Sequence, residues 1–479
     1  MGRKGAVESL LDAQESRNAT PLPDWAERET ALANSRKAMA ELREIREETK
    51  DMSPERREQT LRTKRQQKQR TNRRHQVEAQ TWWFQKLLKT EAPLREKMVI
   101  FWHDHFATSF RKVKQPVLLM KQNELFRSEA LGSFKTLTHE ILRDPAMMLY
   151  LDVQTSKKGQ PNENFAREVM ELFTLGEGNY TEQDIKEAAR AFTGYKINRL
   201  NGQVRTNRRQ RDLGEKTIFG RTQKFDGPGV VDLLFEQPAV TRMIPTKLWE
   251  FFVADNPPEE GISALARSFE AAEFQIKPLL REIFLSKAFY DPKVIRNQIK
   301  SPIQYLVQML KELEIGSPPV GQMLAAQQDL GQVLFMPPNV AGWDWGKGWI
   351  NTNTLLSRYN TAGFVTKGSI ESRSANDGDS MSMVMMDDKM TQRRMNGIKR
   401  ANRRWAGPDY EQIVPRPLRE DPEKLVDALI LRFFQAPLGA KERQAFIEYA
   451  RSKKGAIFTN KETGELCHLM MSTPQYQLA

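Results

Sequence analysis

Pro93-Leu94-Arg95-Glu96-Lys97-Met98-Val99-Ile100-Phe101-Trp102-His103-Asp104-His105 is the stretch on which the fold turns. A strand alternates its side chains between two faces, so His103 and His105 would share one face and chelate a metal together. A helix advances roughly 100° per residue and sets the same two imidazoles roughly 160° apart. Pro93 at the first position, and Leu94, Met98, Phe101, Trp102 and His105 recurring at helical spacing, choose the helix. On this reading His105 points into the core and His103 lies opposite it.

The same periodicity extends to either side. Trp25 to His75 is rich in Ala, Glu, Arg, Lys and Gln and nearly free of Gly, which predicts long helices. Ser53-Pro54 reads as an N-cap followed by the first helical residue. Few aromatic or branched residues occur from Arg56 to Arg74, so that segment reads as a solvent-facing arm. Asn162 caps a later helix with Phe165, Val169, Leu172 and Phe173 on its buried face, stopped by Gly176 and Gly178. Thr181-Glu182-Gln183-Asp184 starts its partner like a capping box, with Ile185, Ala188, Ala189 and Phe192 inside. Positions 198–229 are basic, polar and glycine-bearing, a long loop or a small hairpin excursion. Positions 366–417 lack apolar periodicity and read as an insertion or linker. The expected fold is mainly α, with one multi-helical core. A basic helical arm covers 1–80 and the core 81–365. A flexible, disordered insertion follows at 366–420, and C-terminal helices at 421–479 pack on the core.

With 479 residues, 39% hydrophobic and 28% charged, the chain is long enough for a sizeable core. Its mean hydropathy is -0.63, and no apolar run approaches the roughly 20 residues of a membrane span, so it reads as soluble. Positions 1–20 carry no apolar leader segment. Cys467 is the one cysteine, which excludes an internal disulfide and a cysteine-rich zinc site. The net charge of +13 favours polyanionic partners. The excess falls in three separate runs, Arg56 to Arg74, Arg205 to Arg211 and Arg393 to Arg404, which do not define one binding stripe. Without interleaved aromatics or a nucleic-acid motif, the Arg56–Arg74 run reads as a solvated helix face, and nucleic acid is disfavoured as a partner.

Three constellations could carry chemistry. His103-Asp104-His105 is the candidate metal set, although helical geometry parts its two imidazoles. No cofactor is predicted, and a divalent metal is the one this triplet would take. Glu163, Arg167 and Glu171 fall at i, i+4 and i+8, an ion-paired ridge. The bland reading is a surface ridge. The sharper one sets Glu163 or Glu168 against His105, with Asn164 and Arg167 beside them, as an acid–base or metal-binding pair. Asn339, Trp343, Trp345 and Trp349 lie in a Pro/Gly loop, where indoles either plug a core or form a platform for sugar rings. Met381, Met383, Met385, Met386 and Met390 read as a methionine-bearing linker rather than a soft-metal site. The glycines at 220 and 227–229 lack the setting of a phosphate loop.

Leu94 to Met98, Phe101 to Ser109, Pro161 to Gly176 and Ala191-Phe192-Thr193-Gly194-Tyr195 together resemble the bacterial family of unknown function DUF1800. So do Lys300-Ser301-Pro302, Pro337-Pro338-Asn339-Val340 with Gly342-Trp343, and Ser472 to Gln477. The resemblance runs from about Thr81 to the C-terminus, interrupted at 366–417. It implies a helical, exported bacterial protein, often encoded beside a sulfatase-like partner, and supplies no catalytic residues. The Arg/Gly/Phe-rich opening and leader usual in the family are not found, so the resemblance leaves localisation open. Two functional readings follow. One is an envelope-associated accessory protein binding a polyanionic or glycan partner, acting with a sulfatase-like protein. The other is a hydrolase-type enzyme, with or without a metal, centred on His105 and the Asn162–Glu171 helix.

Overall fold

The computed structural model describes residues 2–16, 20–199, 201–367, 407–453 and 458–479. Helices dominate, and the described strands form two small antiparallel hairpins. No described helix is long and apolar enough to cross a membrane. The chain divides into two compact units, one of 1–289 with 334–343 and one of 290–333 with 344–479. These cuts differ from those read from the sequence. The segment 334–343 returns to the first unit, where Gln80 Nε2 donates to the Leu334 carbonyl at 3.0 Å and the Phe110 N–H to the Phe335 carbonyl at 3.1 Å.

One continuous helix, Pro54–Lys89, crosses the boundary expected at 80. The change from polar to aromatic sequence is therefore a change in burial within one element. Positions 54–74 are almost wholly exposed, whereas Trp82, Trp83, Phe84, Leu87 and Leu88 are core. The next helix, Pro93–His105, buries Leu94, Met98, Val99, Phe101, Trp102, His103 and His105. Its buried residues lie on more than one side of the helix, and Glu96 among them is paired with Arg127. His103 does lie opposite His105, yet it is as buried as the rest.

Asn162 caps the Glu163–Glu168 helix, its side chain accepting from the Asn164 N–H at 3.1 Å. The element then widens into a π-helical turn, Val169–Thr174, and Thr174 Oγ1 donates to the Val169 carbonyl at 2.6 Å. Gly176, at φ 82°, ends it. Thr181 and Asp184 form the reciprocal capping box of the Glu182–Ala191 helix. The excursion that follows is the hairpin Tyr195–Ile197 with Val204–Thr206, then a second hairpin, Lys216–Ile218 with Arg221–Gln223.

In the second unit the Thr352–Lys367 helix takes in the first two positions of the expected insertion. Its last part holds the short helices Tyr410–Ile413 and Arg416–Arg419. The rest, with the five methionines and the basic run at 393–404, lies outside the described residues. The final residues pair back on 298–300, with Lys300 N–H donating to the Gln477 carbonyl at 2.8 Å and an antiparallel bridge between Ile299 and Leu478.

Candidate functional site

The buried centre of the first unit is assembled around the C-terminal end of the Pro93–His105 helix. A helix end leaves carbonyls without intrahelical partners, and the π-helical turn delivers those of Leu172 and Phe173 to this place. His105 Nε2 meets the Phe173 carbonyl at 3.1 Å. A carbonyl only accepts, so Nε2 carries the proton and Nδ1 presents its lone pair. That lone pair accepts from Lys247 Nζ at 3.1 Å, and Lys247 also reaches the Leu172 carbonyl at 3.5 Å. Burial, followed by the nearby Lys247 ammonium, keeps His105 neutral by lowering its pKa well below the usual imidazole value.

Asp104 lies beside this pair. Its carboxylate accepts the Trp343 backbone N–H at 2.6 Å. Burial raises its pKa to about 6, against the opposing pull of that hydrogen bond and of Lys247. Lys247 is itself lowered by burial, with Asp104 and Glu250 pulling it back up. The turn that brings Trp343 here needs Gly342. Its φ is 96°, and a Cβ at that position would lie 2.8 Å from the Asp104 carbonyl oxygen.

His103 faces a different environment. Trp83, Phe335, Trp343 and Phe126 surround it with ring centroids at 5.2, 5.5, 5.6 and 5.8 Å. Neither of its ring nitrogens has a hydrogen-bond partner among the described residues, and the same holds for the indole N–H groups of Trp83 and Trp343. Burial lowers the His103 pKa to about 3. The two histidines thus serve opposite sides of one helix. Among the described residues no group of three or more His, Cys, Asp or Glu is placed to hold a metal.

The other candidates separate as well. The Glu163–Arg167–Glu171 ridge does not form, because Arg167 and Glu171 find partners on the neighbouring segment instead. Arg167 grips Glu182 through two bonds of 2.7 and 2.8 Å, and Tyr180 Oη donates to Glu171 at 2.6 Å. Glu163 and Asn164 lie in the helix's first turn, and Asn164 is exposed. Glu168 is half-buried and raised by burial and by Glu171. The sharper pairing of Glu163 or Glu168 with His105 is absent, since both His105 nitrogens are occupied by Phe173 and Lys247. In the tryptophan loop, Asn339 Oδ1 accepts the Ala341 N–H at 2.8 Å and shapes the turn. Trp343 and Trp349 are buried, while Trp345 is exposed. Two of the three indoles therefore have no open face to offer a sugar ring.

Sequence reasoning overlooked Lys247. It sits in Val240–Phe252, where Ile244, Leu248 and Trp249 are buried. A lone lysine at the edge of such an apolar face was the available signal.

The cationic feature is the outer part of the Pro54–Lys89 helix. Arg56, Arg57, Arg62, Lys64, Arg65, Lys68, Arg70, Arg73 and Arg74 are all exposed. Of these nine, only Arg74 forms an ion pair with a described residue, Glu78 at 3.5 Å.

These features define a mainly helical protein whose first unit buries a histidine helix and exposes a cationic helix segment. Residues 1–478 match the family described as Protein of unknown function (DUF1800). The chain belongs to that family, and the match takes in the N-terminal helices that the resemblance had left out. No curated protein and no solved structure matches the chain.

Proposed function

We propose that this protein is an accessory protein that binds a polyanionic partner through the exposed portion of the Pro54–Lys89 helix. The observation that carries this reading is the charge there. Positions 54–74 hold nine basic and two acidic residues, a net of +7 out of +13 for the whole chain. Lys64 and Lys68, and Arg70 and Arg74, stand one helical turn apart, and such like-charged pairs each destabilise a helix by about 0.2–0.5 kcal/mol. A polyanion converts that repulsion into binding and releases its own counterions. An envelope setting and a sulfatase-like neighbour belong to this proposal as the family resemblance suggested them.

The hydrolase alternative needs His105 to exchange protons with a substrate. With one nitrogen on a backbone carbonyl and the other on Lys247, the imidazole is better suited to clamping helices together. The test is retention on immobilised heparin. The full chain should bind at low salt and elute with rising salt. Replacing Arg56, Arg57, Arg62, Lys64 and Arg65 by Gln should move elution to markedly lower salt. Failure of the unaltered protein to bind at low salt would sink the proposal.

A further inference from the structure

The first two basic runs are far apart in sequence, but the fold of the first unit connects them. Asn72, near the inner end of the exposed helix segment, donates from Nδ2 to the Lys114 carbonyl at 2.6 Å. The Lys114 ammonium turns back on the Arg111 carbonyl. Arg111, Lys112 and Lys114 are exposed. Lys112 reaches Asp152 at 2.6 Å, and two residues on, the Gln154 carbonyl receives Lys196 Nζ at 3.1 Å. The Lys158 N–H then donates to the Gln210 carbonyl at 2.8 Å, next to Arg208 and Arg209. Lys157, Lys158, Lys196, Arg205, Arg208 and Arg209 are all exposed, and none forms an ion pair among the described residues.

The hairpin holds the most telling pair. Lys196 and Arg205 stand directly opposite each other across the two strands. Like charges in that position work against the hairpin. Lys196 is satisfied by a carbonyl oxygen and Arg205 by Gln203 at 2.9 Å, so neither charge is neutralised.

We infer that the exposed helix, the 111–114 loop and the hairpin of Tyr195–Ile197 with Val204–Thr206 form one extended track for an anionic polysaccharide. This rests on the polyanion reading above and deepens it by giving the partner a path and a chemistry. Two observations favour a sugar chain over a nucleic acid. The rings along the track, Tyr150 and Tyr195, are half-buried, and the Lys112 ammonium lies over the Tyr150 ring at 5.8 Å, so among the described residues no fully exposed ring is offered for bases to stack on. Uncharged amides are interleaved with the cations instead, Gln66, Gln67 and Gln69 on the helix and Gln203 on the hairpin, and amides suit sugar hydroxyls. The path also passes from a helix through a loop to a hairpin, which a flexible chain follows more readily than a stiff duplex.

The experiment measures affinity of the full chain for unfractionated heparin and for a heparin tetrasaccharide over a salt series. A hairpin variant, Lys196→Gln with Arg205→Gln, is compared with a helix variant, Arg65→Gln with Lys68→Gln. The hairpin variant should bind long heparin about tenfold more weakly, with a salt slope smaller by roughly two. Its tetrasaccharide affinity should be unchanged, because a short chain needs only the helix. The helix variant should weaken both. The hairpin variant removes a repulsive pair, so its Tm should be unchanged or higher. If its Tm falls, Arg208→Gln with Arg209→Gln takes its place with the same expectation. A hairpin variant that binds long heparin normally, while the helix variant is weakened, overturns the track and leaves the polyanion reading standing. Normal binding by both variants overturns the reading itself. If single-stranded DNA displaces heparin at equal charge and depends equally on the hairpin, the polysaccharide assignment is overturned.

Discussion

Each unit buries a polar centre, and the two centres are built on different principles. In the second unit Arg358 is buried and donates to the Lys300 carbonyl at 2.7 Å and to Gln477 Oε1 at 3.1 Å, with its guanidinium over the Tyr305 ring. Lys300 donates to the Tyr476 carbonyl at 2.7 Å and sits 4.0 Å from that ring's centroid, while Tyr476 Oη donates to Glu312 at 2.6 Å. Most of these bonds end on backbone or on a neighbour in the same ring of contacts. In the first unit the polar groups are less fully matched. Among the described residues His103 has no polar partner, and neither do the buried indole N–H groups of Trp83 and Trp343. The second unit's set fastens chain segments, here the last residues to 298–300, although Arg358 Nε has no hydrogen-bond partner among the described residues and burial raises Glu312 to about 6.

The largest expected effect tests the fastening. Arg358→Ala leaves two buried acceptors without a donor and opens a hole, and should cost about 3–5 kcal/mol in chemical unfolding. A loss below about 1 kcal/mol would erase the contrast between the centres.

His103→Phe tests the opposite claim. The folded state holds this imidazole neutral, with its pKa lowered to about 3, whereas the unfolded chain protonates it near 6.5. The unfolded state therefore binds more protons between those values, so stability is full above about 6.5 and falls as the pH drops toward 3. The unaltered protein should lose about 3 kcal/mol from this group between pH 6.5 and 4. His103→Phe should remove that part of the acid sensitivity and stay within about 1.5 kcal/mol of the parent at pH 7. Identical pH profiles for the two proteins would contradict the reading.

Lys247→Met leaves the buried His105 Nδ1 without its donor but replaces a poorly solvated ammonium by a side chain of similar length, so the net cost should be about 1–2 kcal/mol. Its informative readout is Asp104, whose carboxyl should titrate above about 6 once the cation is gone, by carbon-detected NMR. An unmoved titration would mean that Lys247 and Asp104 do not sense each other.

Much of the architecture was legible in the residues. Proline at Pro93 and the spacing of Leu94, Met98, Phe101 and Trp102 identified the central helix, and the Thr181–Asp184 signature located a helix start. Helix geometry alone separated His103 from His105. Their surroundings were not legible, because burial all round a helix depends on what packs there from elsewhere. Lys247 joins His105 across 142 positions. The π-helical turn is a local change in hydrogen-bond register, which composition does not announce, yet it supplies the carbonyls that hold both groups. The basic runs looked separate because the connecting contacts, from Asn72 to Lys114 and from Lys196 to Gln154, arise only once the chain has turned back on itself.

The return of 334–343 to the first unit has a consequence for biosynthesis. A ribosome delivers 1–289 first, and that length holds His103, Trp83 and Phe126 but neither Phe335 nor Trp343. The nascent chain therefore carries an unfinished aromatic chamber while part of the second unit is being made. Such exposed apolar surface on a partly made chain is what chaperones bind. A fragment ending at 289 would keep that opening permanently.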